Sequence, residues 1–168
     1  MRCFISIGFP CEETAKDLLG KLGGIGGVKC VDSLHLTLSF LGDVEDTKPV
    51  EERMAVLKNY GTFEVELSGV GCFPNRDNPR VIWIGIGEGV ETLMAMTRDL
   101  TIENFSPHVT IARVKYGRDM NSIRRFIDRY SQTMVGKYMV KRVSLMKSTL
   151  TPAGPIYEEL YGIRLSED

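Results

Sequence analysis

The sequence predicts an α+β fold built mostly from antiparallel sheet. Segments with strand character outnumber those with helical character by roughly two to one, and several are joined by tight turns. A doubly wound parallel sheet would need a helix between nearly every pair of strands. No stretch of linker composition divides the 168 residues, a length that suits one domain. We therefore expect a single domain over residues 1–168, with two lobes.

The first half of the chain alternates strands with helices. Residues 2–8 are short, apolar and rich in β-formers, which predicts a central strand. Residues 12–22 carry acidic side chains in the first turn and are followed by glycines, so they predict a helix. A short strand is expected at 28–31 and an alternating one at 34–41. Residues 47–59 begin with a threonine N-cap and an early proline, which predicts a second helix.

The second half repeats this kind of order. Residues 63–70 and 80–86 predict strands joined by a turn-rich loop. Residues 88–100 predict a third helix and 119–131 a fourth. Between them, 106–114 predict a strand with a proline near its start, where a missing N–H is tolerated.

The chain closes with two long predicted strands, residues 135–147 and 156–165, separated by the turn TPAGP. The two successive passes of strands and helices are the reason for expecting two lobes.

Composition limits the possible functions. The formal net charge of −1 excludes avid non-specific binding along a duplex, but it permits a local cluster of Lys and Arg that holds one phosphate. The four cysteines form no CxxC pair, which favours reduced thiols. The N-terminus does not have the pattern of a signal peptide, and no apolar stretch is long enough to span a bilayer. We expect a cytoplasmic protein with no membrane partner.

The two histidines of the chain occur in matching motifs. His35 lies in LHLTL and His108 in PHVTI, so Thr37 and Thr110 follow at the same spacing between apolar residues. Eleven of the 168 residues are threonine, so this spacing arises twice by chance in about one of a few hundred such sequences. The apolar flanks make it rarer by roughly another order of magnitude.

On a strand, each histidine and its threonine share one face, while the apolar neighbours point to the other. Two imidazoles suit a reaction in which one group takes a proton and another gives one near neutral pH. The alternative is a pair of structural histidines bonded to threonine or backbone. No HExxH or carboxylate cluster accompanies them, so we expect neither a metal nor another cofactor.

The segments HLTLSFLG and SPHVTIAR resemble the paired HxTx motifs of the 2H phosphoesterase superfamily. Within it, the chain is most similar to the RNA 2′,3′-cyclic phosphodiesterases, historically called 2′-5′ RNA ligases. The similarity covers nearly the whole chain, including RCFISIGFP, GCFPNRDNPRVIWIGI and KSTLTPAGPIYEEL. It implies two pseudo-symmetric lobes of antiparallel sheet, backed by helices, around a central groove with one motif on each side.

The resemblance also implies roles for the site residues. His35 is the expected proton donor and His108 the expected proton acceptor, although the residue types alone do not assign which is which. Thr37 and Thr110 are expected to bind the phosphate oxygens. The expected reaction is hydrolysis of RNA or nucleotide 2′,3′-cyclic phosphate ends to 2′-phosphomonoesters, and 2′-5′ RNA ligation stays open. We expect a monomer.

Arg113 lies five residues after His108, so on an uninterrupted strand it would face away from the histidine. A bulge would bring it round to the phosphate, and the alternative is a solvated arginine at a strand end. Phe73, Trp83 and Tyr157 are candidates for stacking on a nucleobase, with core packing favoured for Trp83.

Two other functions are compatible with these motifs. One is a module that binds nucleotide ends without hydrolysing them, which would not need two titrating groups. The other is a related enzyme that acts on a different cyclic or 2′-5′ phosphodiester. The loops beside the groove, rather than the histidines, would distinguish the latter.

Overall fold

A computed structural model describes residues 1–167. Over these residues the chain forms nine strands: β1 (Arg2–Phe9), β2 (Val28–Cys30), β3 (Leu34–Asp43), β4 (Phe63–Phe73), β5 (Val81–Ile86), β6 (His108–Val114), β7 (Met134–Val140), β8 (Arg142–Thr151) and β9 (Gly154–Arg164). It also forms four α-helices: α1 (Glu13–Gly23), α2 (Lys48–Met54), α3 (Val90–Asp99) and α4 (Met120–Tyr130). A 3-10 helix, Ala55–Asn59, follows α2 directly.

All nine strands join one sheet in the order β7-β4-β5-β6-β3-β1-β8-β9, with β2 paired to β6. Every ladder between named strands is antiparallel. The α+β class and the antiparallel sheet that the sequence predicts are therefore confirmed.

The sheet has two matching halves. From the centre outward, one half runs β3-β1-β8-β9 and the other β6-β5-β4-β7. The halves meet at the contact between β3 and β6, where Leu36 is paired with Val109. The two strands that carry the histidine motifs are therefore the innermost strands, as the implied pseudo-symmetry requires.

The helices lie against the apolar face of the sheet and bury one side each. From α1, Ala15, Leu18 and Leu22 are buried, and the other three α-helices each contribute buried side chains as well. Each fully buried aliphatic side chain stabilises the fold by about 1.5–3 kcal/mol. This packing fixes the central strands that hold the candidate site.

Two elements differ from the sequence-based prediction. The single strand expected over 135–147 is two strands, because the chain leaves β7 at Lys141 and crosses to the other half of the sheet as β8. No proline or glycine marks this break, and its one signal in the sequence is the charged pair Lys141 and Arg142, which interrupts the alternation of apolar residues. The second helix is α-helical to Met54 and continues as a 3-10 helix.

Candidate active site

The contact between β3 and β6 places the two histidine motifs side by side. Leu36 is paired with Val109, so one step along the antiparallel register sets His35 beside Thr110 and Thr37 beside His108. Residues opposite each other on paired strands share a face. The four polar side chains are partly exposed, whereas Leu36 and Val109 are fully buried beneath them. The structure thus brings together the His-x-Thr pairs on one face.

Each of these two strands carries a bulge just after its threonine. On β3, Thr37 is paired with Ser6 and Ser39 with Ile5, so Leu38 is the extra residue. Leu38 is 2% exposed, so the extra residue points into the core, while its neighbours Thr37 and Ser39 are both partly exposed.

The bulge on β6 has the same position within its motif. Thr110 is paired with Trp83 and Ala112 with Ile82, which leaves Ile111 as the extra, buried residue. A one-residue insertion reverses the alternation of side chains beyond it. Arg113, which is exposed, therefore lies on the same face as His108.

The equivalent of Arg113 in the other half is Phe40, five residues after His35. Phe40 is paired with Phe4 across β1 and is 79% exposed. Its ring lies 6.3 Å from that of Phe4, measured between centroids. Phe40 was not among the residues singled out in the sequence, although the equal spacing of Phe40 and Arg113 from the two histidines was visible there.

His35 is surrounded by aromatic rings. The centroids of Phe4 and Tyr157 each lie 5.4 Å from that of the imidazole. Burial lowers the pKa of His35, and the positive charge of Arg113 lowers it further. The paired registers place the guanidinium of Arg113 on the same face of the sheet as the imidazole of His35.

His108 is oriented by a backbone contact. Its Nδ1 lies 2.7 Å from the carbonyl oxygen of Ser106. A carbonyl oxygen only accepts hydrogen bonds, so Nδ1 carries the proton. In the neutral ring, Nε2 is then left as a proton acceptor. The edge-on ring of Phe73, 4.9 Å away between centroids, restricts the imidazole further.

The glycines opposite the two histidines also match. Gly8 is paired with His35 and Gly85 with His108. A Cβ added at Gly8 would meet no atom of the described part of the chain within 4 Å, so the face beside His35 is open there. Space at this position is available to a substrate.

The aromatic candidates have different positions. Phe73 and Tyr157 both contact a histidine edge-on. Trp83, for which core packing was favoured, is partly exposed, and its ring lies so close to Gly71 that an added Cβ would overlap it. Its indole nitrogen is buried and has no hydrogen-bond partner among residues 1–167.

Three further observations concern metals, thiols and membranes. Among residues 1–167, no three His, Cys, Asp or Glu side chains are grouped so that they could hold a metal ion. The four cysteines are free thiols, and burial raises the pKa of Cys3, Cys30 and Cys72. None of the helices in the described part of the chain is long and apolar enough to span a membrane.

Comparison with known families identifies the fold and its relatives. The family described as LigT like Phosphoesterase matches residues 10–83 and 86–157. The chain belongs to this family.

The curated relatives agree with one another. The chain is 35% identical to a protein of Archaeoglobus fulgidus named RNA 2′,3′-cyclic phosphodiesterase, over 95% of this chain and 98% of that protein. Proteins of the same name from Aeropyrum pernix and Methanothermobacter thermautotrophicus are 36% and 37% identical, over 79% and 80% of this chain and 82% and 79% of their own lengths. The resemblance inferred from the HxTx motifs is confirmed.

Solved structures share the architecture. TT0787 of Thermus thermophilus superposes with a TM-score of 0.78 at 28% identity and covers 100% of both chains. Escherichia coli LigT complexed with 3′-AMP gives a TM-score of 0.64 at 21% identity and covers 99% of this chain and 98% of its own, which shows the same fold.

Proposed function

We propose that this protein hydrolyses the 2′,3′-cyclic phosphate at RNA or nucleotide ends to a 2′-phosphomonoester. The observation that carries the proposal is the placement of both His-x-Thr pairs on one face at the contact between β3 and β6. The name shared by the curated relatives supports the same substrate class.

His108 is the proton acceptor. The bond from Nδ1 to the Ser106 carbonyl leaves Nε2 free to take a proton from a water molecule. The water oxygen forms a bond to phosphorus as its proton moves to Nε2. The orientation of the ring is set before substrate binds, which is the property a positioned base requires.

His35 is the proton donor. As the bond from phosphorus to the ribose 3′-oxygen breaks, His35 protonates that oxygen, and the phosphate stays on the 2′-oxygen. Burial and Arg113 lower the pKa of His35 in the free protein, which opposes this role. A bound phosphate anion reverses that effect, because it offsets the charge of Arg113 and stabilises the imidazolium. His35 is therefore charged mainly when substrate is present.

The remaining polar groups bind the phosphate. Thr37 and Thr110 donate hydroxyl hydrogen bonds to the non-bridging oxygens, and Arg113 balances their negative charge. Phosphoryl transfer depends mainly on positioning and on fixed donors of this kind. The bulge at Ile111, which turns Arg113 toward the site, supports this role.

The ribose lies on the His35 side of the groove, because His35 protonates its 3′-oxygen. On that side Phe40 and Tyr157 are 79% and 38% exposed and offer aromatic surface for a base. A 5′-hydroxyl that replaces the attacking water would give a 2′-5′ linkage in the same site. A cytosolic, monomeric protein remains the prediction from the sequence.

One assay tests the proposal directly. The protein is incubated in EDTA with nucleoside 2′,3′-cyclic monophosphates, and the product is compared with authentic isomers by chromatography or phosphorus NMR. We expect the 2′-phosphomonoester. If the 3′-phosphate predominates, the ribose binds in the opposite orientation, with its 2′-oxygen beside His35. Activity that requires added zinc or manganese would contradict the two-histidine mechanism.

A further inference from the structure

A pair of cations lies at the rim of the site beside His35. The short strand β2 places Lys29 opposite Arg113 on β6, so the two side chains share the face that carries the histidines. Both residues are exposed. Within residues 1–167, neither forms an ion pair with a carboxylate. Two adjacent cations without a counter-charge favour an anionic ligand.

The side chain of Lys29 extends toward the β8–β9 hairpin. Its Nζ lies 3.9 Å from the point that a Cβ on Gly154 would occupy, so the ammonium reaches the tip of the hairpin. Tyr157, three residues further along β9, contacts His35. Three strand residues span about 10 Å. The hairpin that contacts His35 through Tyr157 thus also approaches the ammonium of Lys29, and about 10 Å of strand separates the two contacts.

We propose that Lys29 of β2, whose ammonium lies near the tip of the β8–β9 hairpin, binds the phosphate on the 5′ side of the terminal nucleotide. This inference rests on the proposed function, which places the ribose beside His35. The 5′-oxygen of that ribose leads away from the reacting phosphorus along the same side. A lysine ammonium binds a phosphate as a point charge without demanding one fixed geometry. Lys29 thereby makes the protein favour oligonucleotide ends over cyclic mononucleotides.

The test compares Lys29→Met with Lys58→Met, a control that removes the same charge from an exposed position of the 3-10 helix. Three substrates are used: a nucleoside 2′,3′-cyclic phosphate with a 5′-hydroxyl, the same compound with a 5′-phosphate, and an oligonucleotide with a cyclic end. We expect Lys29→Met to lower kcat/KM roughly tenfold for the two substrates with a 5′-phosphate group. Hydrolysis of the 5′-hydroxyl substrate should be unchanged, and Lys29→Arg should retain most of the preference.

A binding measurement gives a second readout. An oligonucleotide with a 2′-phosphate end is titrated at several salt concentrations and followed by fluorescence anisotropy. Loss of one phosphate contact should reduce the slope of log K against log salt by about 0.7. Lys58→Met should leave the slope unchanged.

The outcomes separate this inference from the proposed function. An equal loss on all three substrates, or no change in either kcat/KM or salt slope, would overturn the role of Lys29. If the unmodified protein hydrolyses none of the substrates, the proposed function fails, and the salt slope still reports whether Lys29 contacts the phosphate.

Discussion

At the level of single residues, the two histidines differ in their surroundings although their motifs match. His108 has a backbone acceptor on Nδ1, whereas His35 lies between aromatic rings and near Arg113. The first environment holds the proton on Nδ1 and directs Nε2 away from the backbone, and the second makes protonation of His35 depend on a bound anion. The hydrogen bond at Nδ1 supports His108 as the base, whereas the lowered pKa of His35 is compatible with its role as acid when a phosphate anion is bound.

Replacing either histidine should abolish most of the turnover, and a modified leaving group should distinguish their roles. We expect His35→Ala and His108→Ala each to lower kcat by about two to four orders of magnitude. The double variant should be little worse than the poorer single variant, since the two groups act in one step.

A cyclic substrate with sulfur in place of the ribose 3′-oxygen distinguishes the proton donor from the proton acceptor. Its thiolate leaves without protonation, so it should restore much of the activity of His35→Ala and little of that of His108→Ala. If the sulfur substrate instead restores the activity of His108→Ala, then His108 is the proton donor and His35 the proton acceptor.

Arg113 should control the protonation of His35. Because the guanidinium charge lowers the pKa of His35, Arg113→Met should raise it, while burial still holds it below the ordinary value. The measurement is an NMR titration of the imidazole protons in the free protein. The matched control is Arg129→Met, at an exposed position on α4, which should leave the pKa of His35 unchanged. An unchanged pKa of His35 in Arg113→Met would show that the guanidinium charge does not act on the imidazole.

At the level of the secondary-structure elements, the strands of the site were predictable and their bulges were not. Alternation along β3 and β6 is enough to place each histidine beside its threonine on one face. Leu38 and Ile111 look like ordinary members of that alternation, so nothing in the sequence marks them as extra residues. The orientation of Arg113 follows only from the paired register. The break at Lys141 was missed because no proline or glycine marks it, although two consecutive charged residues, Lys141 and Arg142, interrupt the alternation there.

The open space beside β1 yields a test of groove geometry. Gly8→Val adds a side chain opposite His35, where a Cβ has no neighbour within 4 Å in residues 1–167. We expect the variant to fold with unchanged or higher stability, because valine suits an extended strand better than glycine. Activity should fall at least tenfold as the side chain enters the space for substrate, and Gly8→Ala should give a smaller loss. Full activity in Gly8→Val, measured with the cyclic mononucleotide, would show that substrate does not occupy this space.

At the level of the whole molecule, the sheet produces the site from two equivalent halves. Each half supplies an innermost strand with a histidine, a threonine and a bulge, followed by one further side chain on the site face. In one half that side chain is the cation Arg113, and in the other it is the exposed aromatic ring of Phe40. The asymmetry at these two positions gives the groove a phosphate-binding part and a part suited to a nucleoside.

The lowered pKa of His35 has a consequence for global stability. The unfolded chain binds a proton at His35 more readily than the folded protein does, so stability rises with pH across this titration. The stabilising effect of neutral His35 is complete above the unfolded pKa, near 6.5, and is lost as pH falls through the lower folded value. We expect the free energy of unfolding of the unmodified protein, minus that of His35→Gln, to increase between about pH 5 and pH 7.

The measurement is urea unfolding at several pH values, followed by fluorescence of Trp83, the single tryptophan. Arginine partners lower the pKa of Asp128 and Glu159, but these carboxyls titrate at lower pH in both proteins and cancel in the difference. Inorganic phosphate should reduce the pH dependence, because an anion beside Arg113 stabilises the imidazolium. A difference that stays flat, or that falls as pH rises, would show that His35 is not held in its neutral form by the free protein.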